Sequence, residues 1–303
     1  MASGSAEKPA KESSDPSSRI QQLVTDAINE KLEQKAVRLE RSGTAKAALK
    51  AGIVREIQSH VGGLDVWTRP APGARKARFS REEITAAAIR IADAEGIEAL
   101  SMRRIAQELG AGTMTIYHYV ETKDELLTLV SDAVIGEVLI GEDEPELDTW
   151  RERVVRIATR TRDSLRRHPW VFDIIDDPPL GPKTVRHFDQ SVGAVSTLPI
   201  SFLDQLDIVH TVDEFVMGYC LLERNNVHTE GGPSNDDATV DYVESLVETG
   251  GYPHLAAMAA EHGLRTIWSE VDAHMRDDRR FDRNLNRLLD GIEVAFGLRD
   301  LDA

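Results

Sequence analysis

"SMRRIAQELGAGTMTIYHYVETKDEL", residues 101–126, sets two short helical patterns three residues apart, with glycines in the gap. Ser101 is a residue type that caps helices, and Ile105, Ala106 and Leu109 then recur at helical spacing until Gly110 stops the run. Thr113 opens a second helix. At 100° per residue Ile116, Tyr119 and Val120 fall in one sector suited to a core, and Thr113, Met114, Tyr117 and His118 are expected on the outer side with Thr115 between. An exposed polar face is ordinary for a surface helix. Here it follows a helix and a glycine-containing three-residue turn, which together make a helix-turn-helix whose second helix enters a major groove. Threonine and histidine supply donors and acceptors for base edges, and the methyl groups of Thr and Met suit thymine. Thr122 and Lys123, at the next helix start, offer a hydroxyl, amides and a cation to phosphate. Arg103 and Arg104 open the supporting helix within reach of a DNA backbone.

Outward from this stretch the pattern stays helical. Ser80 and Glu83 have the spacing of a capping box and open a helix through about Glu95, with Ile84, Ala88, Ile91 and Ala92 on one face. Thr122 and Glu125 repeat that spacing and open another to about Val138. An acidic break at 141–148 precedes helices near 149–167, 181–196, 201–226, 237–249, 254–262 and 281–296. The last carries Phe281, Leu285, Leu288, Leu289, Ile292 and Phe296 on one side. Upstream, residues 1–18 read as a disordered tail. Helical spacing returns from Ile20 to Leu39 and from Leu49 to Val61, and TRPAPGARKAR reads as a basic linker. No period-2 strand pattern of useful length occurs, so the expected fold is all-α. The expected organisation is a tail (1–18), a helical extension (19–66), a linker (67–78), a helix-turn-helix domain (79–125) and a larger helical domain (126–303).

Composition narrows the class. The 303 residues are 41% hydrophobic and 29% charged. No stretch is apolar for long enough to span a membrane, and the first residues lack the apolar core of a secretory signal. The one cysteine, Cys220, excludes a disulfide framework and a cysteine-built zinc site and makes a cytoplasmic setting the expectation; no cofactor or metal is expected. The net charge of −16 argues against nucleic acid only if it is spread evenly. It is not: residues 125–303 carry 17 basic and 35 acidic groups, whereas residues 74–124 carry 8 of each. Arg69, Arg75, Lys76, Arg78 and Arg81 form a strip without an acid. Salt confines such fields to roughly 8 Å, so a basic strip on an acidic body still meets phosphates.

The stretch "FSREEITAAAIRIADAEGIEALSMRRIAQELGAGTMTIYHYVETKDELLTLV", residues 79–130, resembles the TetR (tetracycline-repressor) family of transcriptional regulators. The 'LSMRRIA…LG' frame, the 'T-x-Y' in the reading helix and 'Y-x-V-x-x-K-x-E-L-L' carry the resemblance. "HPWVFDII", "PPLGP" and "FDRNLNRLLDGIE" are similar to the family's tetracycline-repressor-like effector domain. The resemblance implies a homodimer on a (pseudo)palindromic double-stranded DNA operator, released when a small-molecule effector binds the C-terminal domain. It implies that Thr113, Met114, Thr115, Tyr117 and His118 touch bases or phosphates, that Ser101 and Arg103 start the supporting helix, and that Lys123 meets phosphate. The order Tyr117-His118-Tyr119 departs from the commoner form, in which His takes the third place. That bears on which operator is read, not on the docking mode.

Two regions remain beside this core. The linker residues Arg75, Lys76 and Arg78 are candidates to lie along phosphates or in a minor groove. The helices before them are expected to pack on their own chain or on a partner. In the long helix 201–226, Asp207, His210, Thr211 and Glu214 form a polar stripe, and Asp213 lies on the apolar side between Val209 and Val216. A buried acid wants a partner. Trp170, His210, Asp213, Glu214 and Met217 are therefore the effector-binding candidates. Other classes fit less well. An enzyme lacks any nucleophile elbow, phosphate loop or HExxH in this sequence. A protein acting through protein–protein contacts alone would show an acidic or apolar reading face, and Thr113 to His118 is neither.

Overall fold

The computed structural model describes residues 65–69, 78–174, 181–228 and 237–298. All regular structure among them is helical, as the periodicity requires. The tail, the helical stripes from Ile20 to Val61, and Arg75 and Lys76 lie outside the described residues. The described chain forms two compact units. The first holds 65–69, 78–91, 99–130 and 181; the second holds 92–98, 131–174, 182–228 and 237–298. Among the described residues, no helix is long and apolar enough to cross a membrane.

The first unit is built from α1 (Asp65–Thr68), α2 (Arg81–Glu95), α3 (Met102–Glu108), α4 (Thr113–Tyr117) and α5 (Lys123–Gly136), the last turns of α2 and α5 counting with the second unit. Helix α2 starts where the sequence says. Ser80 N–H donates to Glu83 Oε2 at 2.7 Å and Glu83 N–H to Ser80 Oγ at 3.1 Å, a complete capping box. Such a cap stabilises by about 1 kcal/mol. Ser101 Oγ accepts from Arg104 N–H at 3.2 Å and starts α3, which ends at Gly110 in a left-handed conformation, φ +60°. Between them Ile84, Ala88, Ile105, Ile116, Val120 and Leu126 close a core with almost no exposed area. At α5 only half of the expected box forms. Glu125 N–H donates to Thr122 Oγ1 at 3.0 Å, but the Glu125 carboxylate accepts from Glu121 N–H and from Arg69 instead of turning back to Thr122.

The second unit comprises α6 (Trp150–Arg167), α7 (Pro182–Val195), α8 (Phe202–His228), α9 (Asp237–Glu248), α10 (Pro253–His262), α11 (Leu264–Met275) and α12 (Arg280–Phe296). Thr149 and Glu152 cap α6 reciprocally, and His168-Pro169 ends it in a short 3-10 turn. Its buried stripe of Trp150, Val154, Ile157 and Ala158 belongs to one core with Ile208, Val212 and Val216 of α8 and Phe281, Leu285 and Leu289 of α12. Helix α11 has no counterpart in the periodicity reading. Leu264, Ile267 and Val271 carry its signal, too narrow a stripe to stand out behind Gly263. Among the described residues of α9 to α11, Val240 and Leu264 alone are buried, so as a group they contribute little to the core of one chain. Helix α8 carries the polar stripe seen in its sequence. It is buried on one side only, and Asp207, His210, Thr211, Glu214, Gly218, Leu221 and Leu222 lie exposed along the other.

Candidate nucleic-acid interface

A five-residue helix has no standing of its own in water, so α4 is held by what it buries. Ile116 and Val120 are fully buried and Tyr119 is 4% exposed. The Tyr119 hydroxyl accepts from Phe79 N–H at 3.3 Å, and its carbonyl accepts from Arg81 Nε at 3.2 Å. Those anchors turn the other side outward. Met114 is 80% exposed and Tyr117 42%, and His118 is exposed with its ring edge-on to Tyr119. An apolar side chain as bare as Met114 contributes almost nothing to the core. Thr115 is half-buried. Thr113 is also half-buried and so does not lie on the outer side. Three residues before Ile116 it stands about 60° from the buried direction, at the edge of the core face.

Around the reading helix, Ser101 is exposed with its hydroxyl engaged as the α3 cap, Arg103 is exposed, and Arg104 pairs with Glu108 one turn on at 3.0 Å. Lys123 is exposed as the first residue of α5, where backbone amides and the helix dipole both favour an anion. The basic strip is less available than a charge count implies. Arg78 Nη2 donates to the Gly110 carbonyl at 3.2 Å, in the turn of the helix-turn-helix. Arg81 donates to the carbonyls of Val66 and Arg69, and Arg69 pairs with Glu121 and Glu125. Three of the five cations, Arg69, Arg78 and Arg81, thus bond within the first unit. No spacing rule signals this, because the partners stand up to 56 residues apart.

In the second unit, His210, Asp213, Glu214 and Met217 fall within one 100° sector of α8, grading from half-buried Asp213 and Met217 to exposed His210 and Glu214. Trp170 is buried and donates from Nε1 to Asp93 Oδ1 at 2.8 Å. The same carboxylate lies 2.6 Å from His168 Nδ1, and His168 Nε2 lies 3.2 Å from Glu137, a cluster that sequence reading did not reach.

Burial pushes the Asp213 carboxyl up from 3.8 to about 6, with His210 opposing the shift. The folded state then holds this proton more tightly than the unfolded chain. The resulting penalty is absent below about pH 4, grows as pH rises and is complete above about 6. Asp213→Asn is expected to raise stability at pH 7 by about 1–2 kcal/mol, discounted for the half-exposed side chain, and to change nothing at pH 4. Urea midpoints at the two pH values measure this, and an equal shift at both would locate the effect in packing.

Comparison with known proteins converges on these elements. The model of the tetracycline-repressor-like C-terminal domain matches residues 143–296, and that of the TetR family of bacterial regulatory proteins matches 84–130. The HTH-type transcriptional repressor DrrR1 of Streptomyces coeruleorubidus is 29% identical over 267 residues, covering 86% of this chain and 92% of its own. An HTH-type transcriptional regulator of Saccharopolyspora erythraea is 28% identical over 235 residues, covering 77% and 93%. Among solved structures, the TetR family protein ActR of Streptomyces coelicolor in complex with actinorhodin is 30% identical, with a TM-score of 0.59, covering 73% of this chain and 99% of that one. With a helix-turn-helix built around an outward-facing α4 and an all-α second unit, this chain belongs to the TetR family of DNA-binding transcriptional regulators.

Proposed function

We propose that the protein is a cytoplasmic repressor that binds a (pseudo)palindromic operator as a homodimer and leaves it when a small molecule occupies the second unit. The observation that carries this reading is the outer side of α4, where Met114, Tyr117 and His118 stand exposed over buried Ile116. Thr113 and Thr115 flank them, and Ser101, Arg103 and Lys123 reach phosphates on either side. Arg75, Lys76 and Arg78 extend the contact along the backbone. On this reading residues 79–125 read DNA and residues 126–303 sense the effector and dimerise. Dimerisation is supported by the exposed line of His210, Thr211, Gly218, Leu221 and Leu222 on α8, and by Gly291, Val294 and Ala295 on α12. Small residues let two such helices approach closely, and Leu222 and Val294, 57% and 56% exposed, would be covered. Effector binding rests on His210, Asp213, Glu214 and Met217, with Trp170 shaping the wall. ActR, solved with actinorhodin bound, is a relative in which a small molecule sits in such a protein.

Footprinting on the DNA upstream of the protein's own gene, across a salt series, tests the reading. A protected near-palindrome is expected, its affinity falling by about 10³-fold or more between 50 and 200 mM salt if six or more phosphates are met. Random-sequence selection that recovers no preferred site would overturn it.

A further inference from the structure

The family model of the DNA-binding region begins its match at residue 84, and α1 with Arg69, upstream of it, has so far been given no part in reading DNA. Yet α1 and the residue after it are built into the first unit. Val66 is fully buried. The Arg81 guanidinium donates to the Val66 carbonyl at 2.8 Å and to the Arg69 carbonyl at 3.0 Å, so that α2 holds both ends of this turn. Arg69 in turn reaches forward. Its Nη1 and Nη2 donate to Glu125 Oε1 at 3.1 Å and Oε2 at 2.8 Å, and Nη1 lies 2.6 Å from Glu121.

The pairing with Glu125 is the consequential one. The Glu125 side chain is 5% exposed. It is the residue whose carboxylate would ordinarily close the capping box of α5. Here Oε2 accepts from Glu121 N–H at 2.7 Å while Oε1 and Oε2 meet the Arg69 fork. A two-pronged guanidinium–carboxylate contact fixes orientation as well as charge, which a lysine cannot match. The peptide from Glu121 to Glu125 is thereby held from a point 56 residues upstream, and Lys123 lies in its middle. Arg69 faces two carboxylates, so its charge is balanced within the protein and is poorly suited to bind phosphate itself.

We propose that Arg69 is a positioning residue for DNA binding: with Val66 and Arg81 it fixes the first turn of α5, so that Lys123 and the turn's amides meet a phosphate in register with α4. The inference rests on the reading that the start of α5 faces the DNA backbone. It makes the segment upstream of the family match part of the reading head and not a tether.

A double-mutant cycle in the full-length chain tests it, with the operator and a random duplex as probes. Arg69→Ala is expected to weaken binding to both by about tenfold, because a phosphate contact carries no sequence information. In a Lys123→Ala background the same substitution is expected to cost less, about threefold or below, since of the contacts it positions only the turn's amides remain. Amide exchange at 121–126 should quicken in Arg69→Ala. An equal loss in both backgrounds would assign Arg69 to general stability and overturn the proposal, as would unchanged binding. Unchanged binding in Lys123→Ala alone would remove the phosphate contact at α5 and the inference with it, while α4 as reader would stand. Removing Arg69 leaves a buried carboxylate without its cation, which can unfold the unit. In that event Arg69→Lys runs the same cycle, with a loss of about threefold expected and the same two overturning results.

Discussion

Phe281→Ala is expected to cost about 3–5 kcal/mol of stability, towards the upper part of that range. Phe281 is fully buried in the first turn of α12, its ring 5.5 Å from that of Phe215 and edge-on to Tyr219 at 5.1 Å. Truncation there removes two aromatic contacts and leaves a void in a packed core. It also exposes a weakness beside the ring. The Arg162 guanidinium lies 4.7 Å from the Phe281 centroid and 5.8 Å from that of Tyr219, and its side chain is 7% exposed. Its Nε has no hydrogen-bond partner, and the carboxylates of Glu223 and Asp278 are 3.8 Å away. Beyond one 3.4 Å bond from Nη2 to the Asp278 carbonyl, this buried cation leans on the aromatic faces, and losing the nearer one adds to the cavity cost. Urea unfolding followed by tryptophan fluorescence reads this unit, which holds Trp150, Trp170 and Trp268. The midpoint should fall at constant slope. Phe281→Leu, which refills most of the volume, should cost less than about 1.5 kcal/mol. A loss below that figure for alanine would mean that α12 relaxes into the space and that the cluster does not anchor it.

What the sequence discloses follows the reach of each interaction. The caps at Ser80–Glu83 and Ser101 bridge three residues, and both helix starts were legible. The Phe281–Ile292 stripe repeats along one helix and marked α12 as core. Contacts of long reach were not legible. Glu125 has the spacing of a capping box, yet its carboxylate answers to Arg69. Arg69 and Arg81 count as available cations on a charge tally, but the fold uses both internally. Trp170 is an effector candidate by its type, and nothing in the sequence shows that its Nε1 bonds to Asp93, 77 residues away. The candidate reading face stands between these cases. Ile116, Tyr119 and Val120 point inward as their spacing demands and leave Met114, Tyr117 and His118 outside. Thr113 is the exception: at 100° per residue it stands about 60° from Ile116 and about 20° from Val120, which sets it at the edge of the core face and not outward.

That outward face supports the sharpest functional test, because Met114 can be changed without touching the fold. At 80% exposure it makes little contact within the chain, so Met114→Glu should alter stability by no more than about 0.5 kcal/mol. Its effect on DNA should be large. If α4 lies in the major groove, the new carboxylate is brought beside base acceptors and flanking phosphates with no cation to answer it. Like charges so placed cost several kcal/mol, so operator affinity should fall by about 100-fold or more, measured by fluorescence anisotropy at fixed salt. Met114→Ala, which removes only apolar contact, should lose about tenfold or less and mainly on sites with thymine at that position. The pair separates two arrangements that the exposed face alone permits. A reader in the groove gives a steep loss for the acid and a sequence-dependent one for alanine. A helix resting outside the groove on the backbone would feel the acid as one more repelled charge, with equal losses on operator and random DNA. An affinity within threefold of the parent for Met114→Glu would leave α4 out of the interface, and the exposed methionine would need another partner.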